Sequence, residues 1–582
     1  MNVLIILALA IAAFFAAGRF YSRAIARWLG EDKNVPTPAV KYCDGRDYIP
    51  TKRYVVFAHH FSAIAGAGPI LGPTMAILYG FVPAWLWIVF GGIFIGAVHD
   101  FTTLFVSMRE GGKSMAEVAR KTLGTRGFNL FIAFTIVMIV LVTSSFLSAT
   151  SISLTSLWPL SKIGVKEGAT FLKTVVKDGV VMGRIGGIAS MSVVVITLCS
   201  PFLGWLIYKK SIKTLYAYMI ASAICAVSVL LGIAFPISLA PTTWMIIISA
   251  YVLVAAGTPV WLILQPRDFI NVQILYGGIV LMVLSLFSTG IGGLSVTVPS
   301  FNLSEGVRHL GFIWPMMFCT IACGAISGFH ALVAGGTTGK QLPCETDARK
   351  VGYNAMLLES ILAVCVLLAV GAALNFSDYK SIVWPSDPAI KSNPILGFSL
   401  AAGQLFHRGL GIPMALGTVF GILLVEGFVI TTLDAAVRLN RYLFEELWGI
   451  LFKKVPKLVK HYWFNSGLSV AFMWILAYSN AFNMLWPIFG TANQMLAALS
   501  LLAVTGWLLI RKKKTAYAFI PALFMLATTL ASLGILLKEY IEKKSYILVA
   551  ADILMFILAI GVVALVVKRF LLRATPVTES MF

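Results

Sequence analysis

The sequence predicts an all-α, polytopic membrane protein, and three observations carry that prediction. The 582-residue chain is 59% hydrophobic and only 12% charged, with mean hydropathy +0.90. A soluble domain would carry roughly a quarter charged residues, so an ordinary soluble enzyme is excluded. Apolar runs long enough to cross a bilayer, about 20 residues each, recur about 15 times. Basic residues gather in alternate connections between those runs, the bias that orients membrane helices.

The expected spans are residues 2–20, 53–80, 82–108, 127–150, 186–208, 212–233, 241–266, 268–290, 311–336, 350–374, 410–436, 461–479, 482–510, 516–537 and 546–568. The first lacks a basic leading segment and is followed by Arg19, Arg23 and Arg27, the pattern of a retained helix and not of a cleaved signal. With the N-terminus outside, about 33 of the 45 basic residues fall in cytoplasmic connections. The expected orientation is therefore N-terminus out and C-terminus in. A formal charge of +21 on a soluble chain would raise nucleic acid as a partner; here it is an orientation signal, and the partner is the lipid bilayer. Two long connections, residues 157–183 and 376–406, fall outside and read as surplus loop or as caps. Residues 443–460 mix Trp, Leu and Phe with lysines and read as an interfacial helix. The seven cysteines are scattered, with no CxxC pair or nearby His, so neither a disulfide framework, a structural metal nor a cofactor is expected.

Two spans carry helix breakers. In the second, HHFSAIAGAGPILGP (His59 to Pro73) places Gly66, Gly68 and Pro69 near the bilayer midplane. In the seventh, GTPVWLILQPRDFIN (Gly257 to Asn271) places Gly257 and Pro259 similarly deep. Such breaks release backbone groups that lipid cannot satisfy, so they are tolerated only where buried or lining a cavity. The two spans are five helices apart and cross in opposite directions. That spacing predicts two inverted five-helix repeats, residues 53–233 and 241–436, inside a transport core of residues 53–436. An N-terminal helix and basic loop (1–52) and a C-terminal helical extension (437–582) flank the core. Paired breaks in inverted halves point to a transporter's binding site. The plainer alternative is that the glycines only let helices pack closely. Around Gly66, Ala67, Gly68 and Pro69, the free amides at the start of the new half-helix would favour an anion such as a substrate carboxylate, with Gly257, Thr258 and Pro259 facing it.

Ionisable side chains at membrane depth cost about 2.5–3.5 kcal/mol on insertion scales and usually face a cavity or a partner. They are His59, His60, His99, Asp100, His330, Glu359 and Glu426. Adjacent helical residues point about 100° apart, so His59 and His60 are not expected to share one site, nor are His99 and Asp100. Histidine titrates near neutrality, which suits a carried proton, although an interhelical hydrogen bond accounts for a buried His equally well. His59, His60, Asp100, Glu359 and Glu426 are the proton-coupling candidates, and His330 is placed with the substrate. The ninth span ends in ISGFHALVAGGTTGK (Ile326 to Lys340), whose tail departs from a phosphate loop at Ala334 and Gln341. Its hydroxyls, Ser327, Thr337 and Thr338, would instead cap a broken helix or hold a sodium ion.

Seven strings now resemble one family: HHFSAIAGAGPILGP, GAVHDF (Gly96 to Phe101), QPRDFIN (Gln265 to Asn271), ISGFHALVAGGTTGK, GYNAMLLES (Gly352 to Ser360), TTLDAAVRLNR (Thr431 to Arg441) and LWPIFGTANQMLA (Leu485 to Ala497). Together they resemble the carbon starvation protein A (CstA) family, in order along residues 50–500. The resemblance implies a bacterial or archaeal inner-membrane importer, associated with peptide uptake and, in relatives, proton-driven pyruvate uptake. It also implies a LeuT-like five-plus-five inverted repeat of the amino acid, polyamine and organocation superfamily. At His99 the family more often carries Gln, which lowers that residue among the candidates.

The expected activity is thus secondary active import of a peptide or small carboxylate by alternating access, with proton coupling, or sodium coupling as the alternative. Arg267, Asp268 and Asp434 are expected to form an inner gate of ion pairs. A nutrient sensor would need a cytoplasmic domain of about 50 residues or more, and none of the connections is that long. An enzyme would need a compact nucleophile or metal cluster, and none is spaced for one.

Overall fold

The computed structural model describes residues 1–571 apart from 45–47, 164–171, 211, 260 and 388–389. Among the described residues, 11 helices are long and apolar enough to cross a bilayer, or 12 with the bent pair Arg53–Ile64 and Gly68–Tyr79, which turns by 45° at its break. The chain is all-α apart from a small antiparallel sheet in which Val180–Arg184 lies between Leu157–Pro159 and Thr174–Lys177. Its strands lie among the described residues of the first long connection.

Three expected spans do not qualify, each for a local reason. Residues 241–266 are not one span, because the helix Pro241–Gly257 stops after 17 residues and Thr258 turns extended ahead of Pro259, which has no amide to continue it. Residues 311–336 are divided into Phe318–Thr320, Ala322–Ala325 and Phe329–Gly336. Tyr462–Ser479 is an 18-residue helix whose buried face carries Asn465, Ser466 and Ser469, which lowers its apolarity. The second long connection is not surplus loop: it folds into Phe376–Val383 and Pro394–Leu410, and the latter packs on Met414–Leu451 and Leu264–Ile291. No separate interfacial helix forms over 443–460, because Leu443 to Leu451 simply prolongs Met414–Leu451.

Two helices organise the core. Met115–Ser153 is kinked at Gly124, where φ is 81°, and its part beyond the kink packs with the 38-residue Met414–Leu451 at the centre of the fold. Met414–Leu451 is far longer than the roughly 20 residues a span needs, so it crosses at a tilt or projects beyond the bilayer, whereas the kink at Gly124 sets residues 115–123 apart from the spanning part of the other. The start of the first is set by Ser114, whose hydroxyl accepts from the Glu117 amide. Against Met115–Ser153 lies the 29-residue Phe482–Ile510, and against Met414–Leu451 the 28-residue Leu264–Ile291. The two shorter helices, Pro241–Gly257 and Tyr462–Ser479, pack on each other and on both long ones. The hairpin Ile185–Tyr208 and Thr214–Ala234 and the C-terminal pair Ala516–Glu542 and Tyr546–Leu571 lie outside this arrangement, with much of their apolar surface exposed.

Candidate functional site

Two helices of the core are interrupted at depth. The first runs Arg53–Ile64, breaks at 65–67, and resumes at Gly68. Pro69 stands at the first turn of the new helix, where a missing amide costs nothing. The Gly66 amide donates to Ile64 O at 2.7 Å, while the Ala67 and Gly68 amides make no hydrogen bond among the described residues. They are free donors at a helix start, where the backbone dipoles favour negative charge.

The second break lies at Ile326 to Gly328, between Ala322–Ala325 and Phe329–Gly336, with Ile326 extended at φ −163°. Here a side chain from another helix bonds part of the freed backbone, while the Ser327 amide makes no hydrogen bond among the described residues. The Gly328 amide donates to Asn493 O at 3.0 Å, and the Phe329 amide donates to Asn493 Oδ1 at 3.0 Å. Asn493 Nδ2 donates in turn to Ser327 Oγ at 3.1 Å. Close approach requires glycine here: a Cβ on Gly328 would stand 2.3 Å from Asn493 O and 2.6 Å from the Ala497 amide nitrogen. The two breaks also meet, since a Cβ on Gly68 would stand 2.3 Å from Cys323 Sγ.

Beside the breaks lies a buried ionisable network. Asp100 accepts on one oxygen from His99 Nδ1 at 2.8 Å and on the other from His330 Nδ1 at 2.7 Å. The far nitrogen of His330 is 3.3 Å from Glu359 Oε2, at ion-pair distance but not aligned as a hydrogen bond. His60 Nδ1 meets Thr338 Oγ1 at 2.8 Å and so ties the first broken helix to the end of the second. All five ionisable side chains are at most 1% exposed. His60 Nε2, His99 Nε2 and both Glu359 oxygens have no hydrogen-bond partner, which is costly at this depth unless a proton or ligand is handled there. Glu426 is separate: it sits on Met414–Leu451 beside Thr150 and Ser153 of the facing long helix, and both its oxygens are unpartnered.

The remaining sequence candidates divide clearly. His59 is half-buried and makes no hydrogen bond among the described residues, so of the His59 and His60 pair only His60 joins the network. His99 and Asp100 do meet, contrary to the expectation from their 100° offset, with the imidazole Nδ1 2.8 Å from the neighbouring carboxylate. Gly257, Thr258 and Pro259 do not face the first break; Gly257 abuts the rings of Tyr462 and Trp463, and Arg438 donates to Thr258 O. Arg267 and Asp434 form a buried ion pair at 2.9 Å, joined by Tyr251, whose hydroxyl accepts from Arg267 at 2.6 Å and donates to Asp434 at 2.8 Å. Asp268 makes no ion pair with Arg267 at contact distance but lies within electrostatic reach of both members of that pair, beside Thr431. Ser327, Thr337 and Thr338 do not converge: they bond Asn493, Val333 O and His60 respectively.

Sequence reasoning missed Asn493, Asn271 and Tyr251. Asn271 donates to Gly427 O at 3.0 Å and Thr431 Oγ1 at 3.1 Å, much as Asn493 bridges the second broken helix. An amide side chain inside an apolar run was the available signal for both asparagines.

The profile described as carbon starvation protein CstA matches residues 2–391 and 373–532. The peptide transporter CstA of Campylobacter jejuni is 30% identical over 90% of this chain and 78% of its own. The pyruvate/proton symporter BtsT of Escherichia coli is 30% identical over 92% of this chain and 82% of its own. Among solved structures, MhsT in complex with L-phenylalanine aligns at TM-score 0.45 and 12% identity, over 88% of this chain and 99% of that one. A manganese transporter of Eremococcus coleocola aligns at TM-score 0.44 and 10% identity, over 89% and 95%. On the family match and these relatives, the chain belongs to the carbon starvation protein CstA family of multi-pass membrane transporters and is not an enzyme.

Proposed function

We propose that the protein is a proton-coupled importer of peptides or small carboxylates such as pyruvate, working by alternating access in a LeuT-like core. The observation that carries this reading is the buried Asp100, His330 and Glu359 chain lying beside a helix break with free amides. The Ala67 and Gly68 amides take the substrate carboxylate. His330 passes a proton between Asp100 and Glu359, whose unpartnered oxygens give it a second place to rest. The relatives named above supply both substrate classes and the coupling ion.

The repeat reading rests on matched lengths. A broken helix, then Met115–Ser153, then helices of 17 and 28 residues in the first half stand against a broken helix, then Met414–Leu451, then helices of 18 and 29 in the second, although Met115–Ser153 is kinked at Gly124 and Met414–Leu451 is not. On this pairing the halves are residues 53–291 and 313–510, the Ile185 to Ala234 hairpin is an insertion in the first, and the partner of the first break is at Ile326 to Gly328. Arg267, Tyr251 and Asp434 close one end as a gate, and the N-terminus is outside. Purified protein in proteoliposomes tests the reading. Pyruvate or a dipeptide should accumulate under an inward pH gradient at matched potential, whereas accumulation only under a sodium gradient would contradict it.

A further inference from the structure

The helix Val3–Leu29 has 27 residues, about 40 Å at 1.5 Å each, against a hydrocarbon core of about 30 Å. Its last turns therefore stand in the headgroup layer. The apolar part faces outward with Phe15 at 72% and Phe20 at 69% exposure, as a lipid-facing helix does. At its end opens a cavity of about 560 Å³ lined by Phe20, Arg23, Ala26, Arg27, Glu31 and Arg349.

Three arginines against one carboxylate leave this lining strongly positive. Arg23 and Arg27 are one helical turn apart, on one face, and neither pairs with a carboxylate among the described residues. Glu31 compensates poorly: its Oε2 is 3.7 Å from Arg349 Nε, and neither Arg349 Nε nor Glu31 Oε1 has a hydrogen-bond partner. Burial pushes the Glu31 carboxyl above its ordinary range, with Arg349 opposing that rise and Glu345 adding to it. An arginine fork suits phosphate oxygens, and the apolar Phe20 borders the same cavity on its membrane side.

We propose that this cavity binds the phosphate headgroup of an anionic phospholipid, with Arg27 and Arg349 on the phosphate oxygens and Phe20 against the start of an acyl chain. Basic pockets between membrane helices at headgroup depth are suited to such lipids. A free phosphate would use the same arginines but not Phe20, so the two sources are separable.

The test is thermal unfolding of the detergent-purified protein titrated with phosphatidylglycerol, phosphatidylcholine or inorganic phosphate at matched ionic strength. Phosphatidylglycerol should raise the midpoint by several degrees, and the other two should not. The rise should disappear in Arg27→Gln and in Arg349→Gln and persist in Lys544→Gln, at a distant turn. Arg27 has no ion pair to lose, so its variant folds even where Arg349→Gln does not. An equal rise with inorganic phosphate would mean a soluble-anion site and overturn the lipid assignment. A rise that survives Arg27→Gln would mean general surface charge and overturn the site.

Discussion

The two helix breaks differ in who satisfies them. At Ile326 to Gly328 the Gly328 and Phe329 amides are bonded by Asn493, and Gly328 is held against the backbone of Asn493 and Ala497 and against Leu496 Cβ. At 65–67 the amides of Ala67 and Gly68 are free, and a Cβ on Gly66 would meet nothing nearer than Thr432 Oγ1 at 3.2 Å. One break is bridged by an amide side chain from another helix, and the other has two adjacent free amides and no such bridge among the described residues. Buried polar groups without partners are expensive, and on the proposed reading the two adjacent free amides at the first break are where a substrate carboxylate would bind.

The comparison predicts opposite phenotypes for alanine at the two breaks, and this is the largest expected effect. Gly328→Ala would drive Cβ into Asn493 O and the Ala497 amide, an overpacking cost of about 1–3 kcal/mol or more, and should sharply reduce folded yield and melting temperature. Gly66→Ala should leave the melting temperature nearly unchanged and reduce uptake. Equal loss of stability in both would remove the distinction. Asn493→Ala should come next: it strips the side-chain acceptor from the Phe329 amide, worth about 1–3 kcal/mol, measured as a lower unfolding midpoint with little change in substrate preference.

Why only one of these breaks was legible in sequence follows from their chemistry. The first is written in local residues, Gly66, Gly68 and Pro69, which release backbone groups without help. The second has no proline, so its hydroxyls suggest a cap on a broken helix without placing the break at Ile326 to Gly328, and the interruption is stabilised by Asn493, 165 residues beyond Gly328 in the chain. Pro259 misled for the converse reason, since the same residue that breaks a helix at depth also ends one between two spans. Membrane character and nearly all helix positions were legible because apolar length and charge bias are local. The Asp100, His330 and Glu359 chain was visible as separate residues but not as a set, because three helices contribute them. His99 was ranked low, yet it donates to Asp100.

Glu359→Gln should retain the fold, since the carboxylate makes no aligned hydrogen bond, and lower gradient-driven accumulation while leaving exchange of labelled substrate. If both fall together, Glu359 serves binding and not coupling. The smallest effect lies outside the membrane, at Glu110, which accepts from Lys121 at 2.7 Å, Trp507 at 2.6 Å and Arg511 at 2.6 Å. Burial raises its carboxyl, but Lys121, Trp507 and Arg511 together hold it below the ordinary range. A depressed carboxyl stabilises the fold above the unfolded value and loses that contribution as pH falls through the folded one. Glu110→Gln should therefore cost about 1 kcal/mol at neutral pH, because its partners are half-exposed, and nothing in strong acid. A difference in unfolding midpoint that persists in acid would contradict the ion-pair account.

The central claim is that a buried proton pathway beside an open helix break drives uptake, and Asp100→Asn in proteoliposomes tests it most directly. An asparagine can accept through only one of the two atoms that now receive His99 and His330. The account predicts that this variant still exchanges labelled pyruvate or dipeptide across the membrane but no longer concentrates it under an inward pH gradient. Accumulation equal to that of the unsubstituted protein would contradict it.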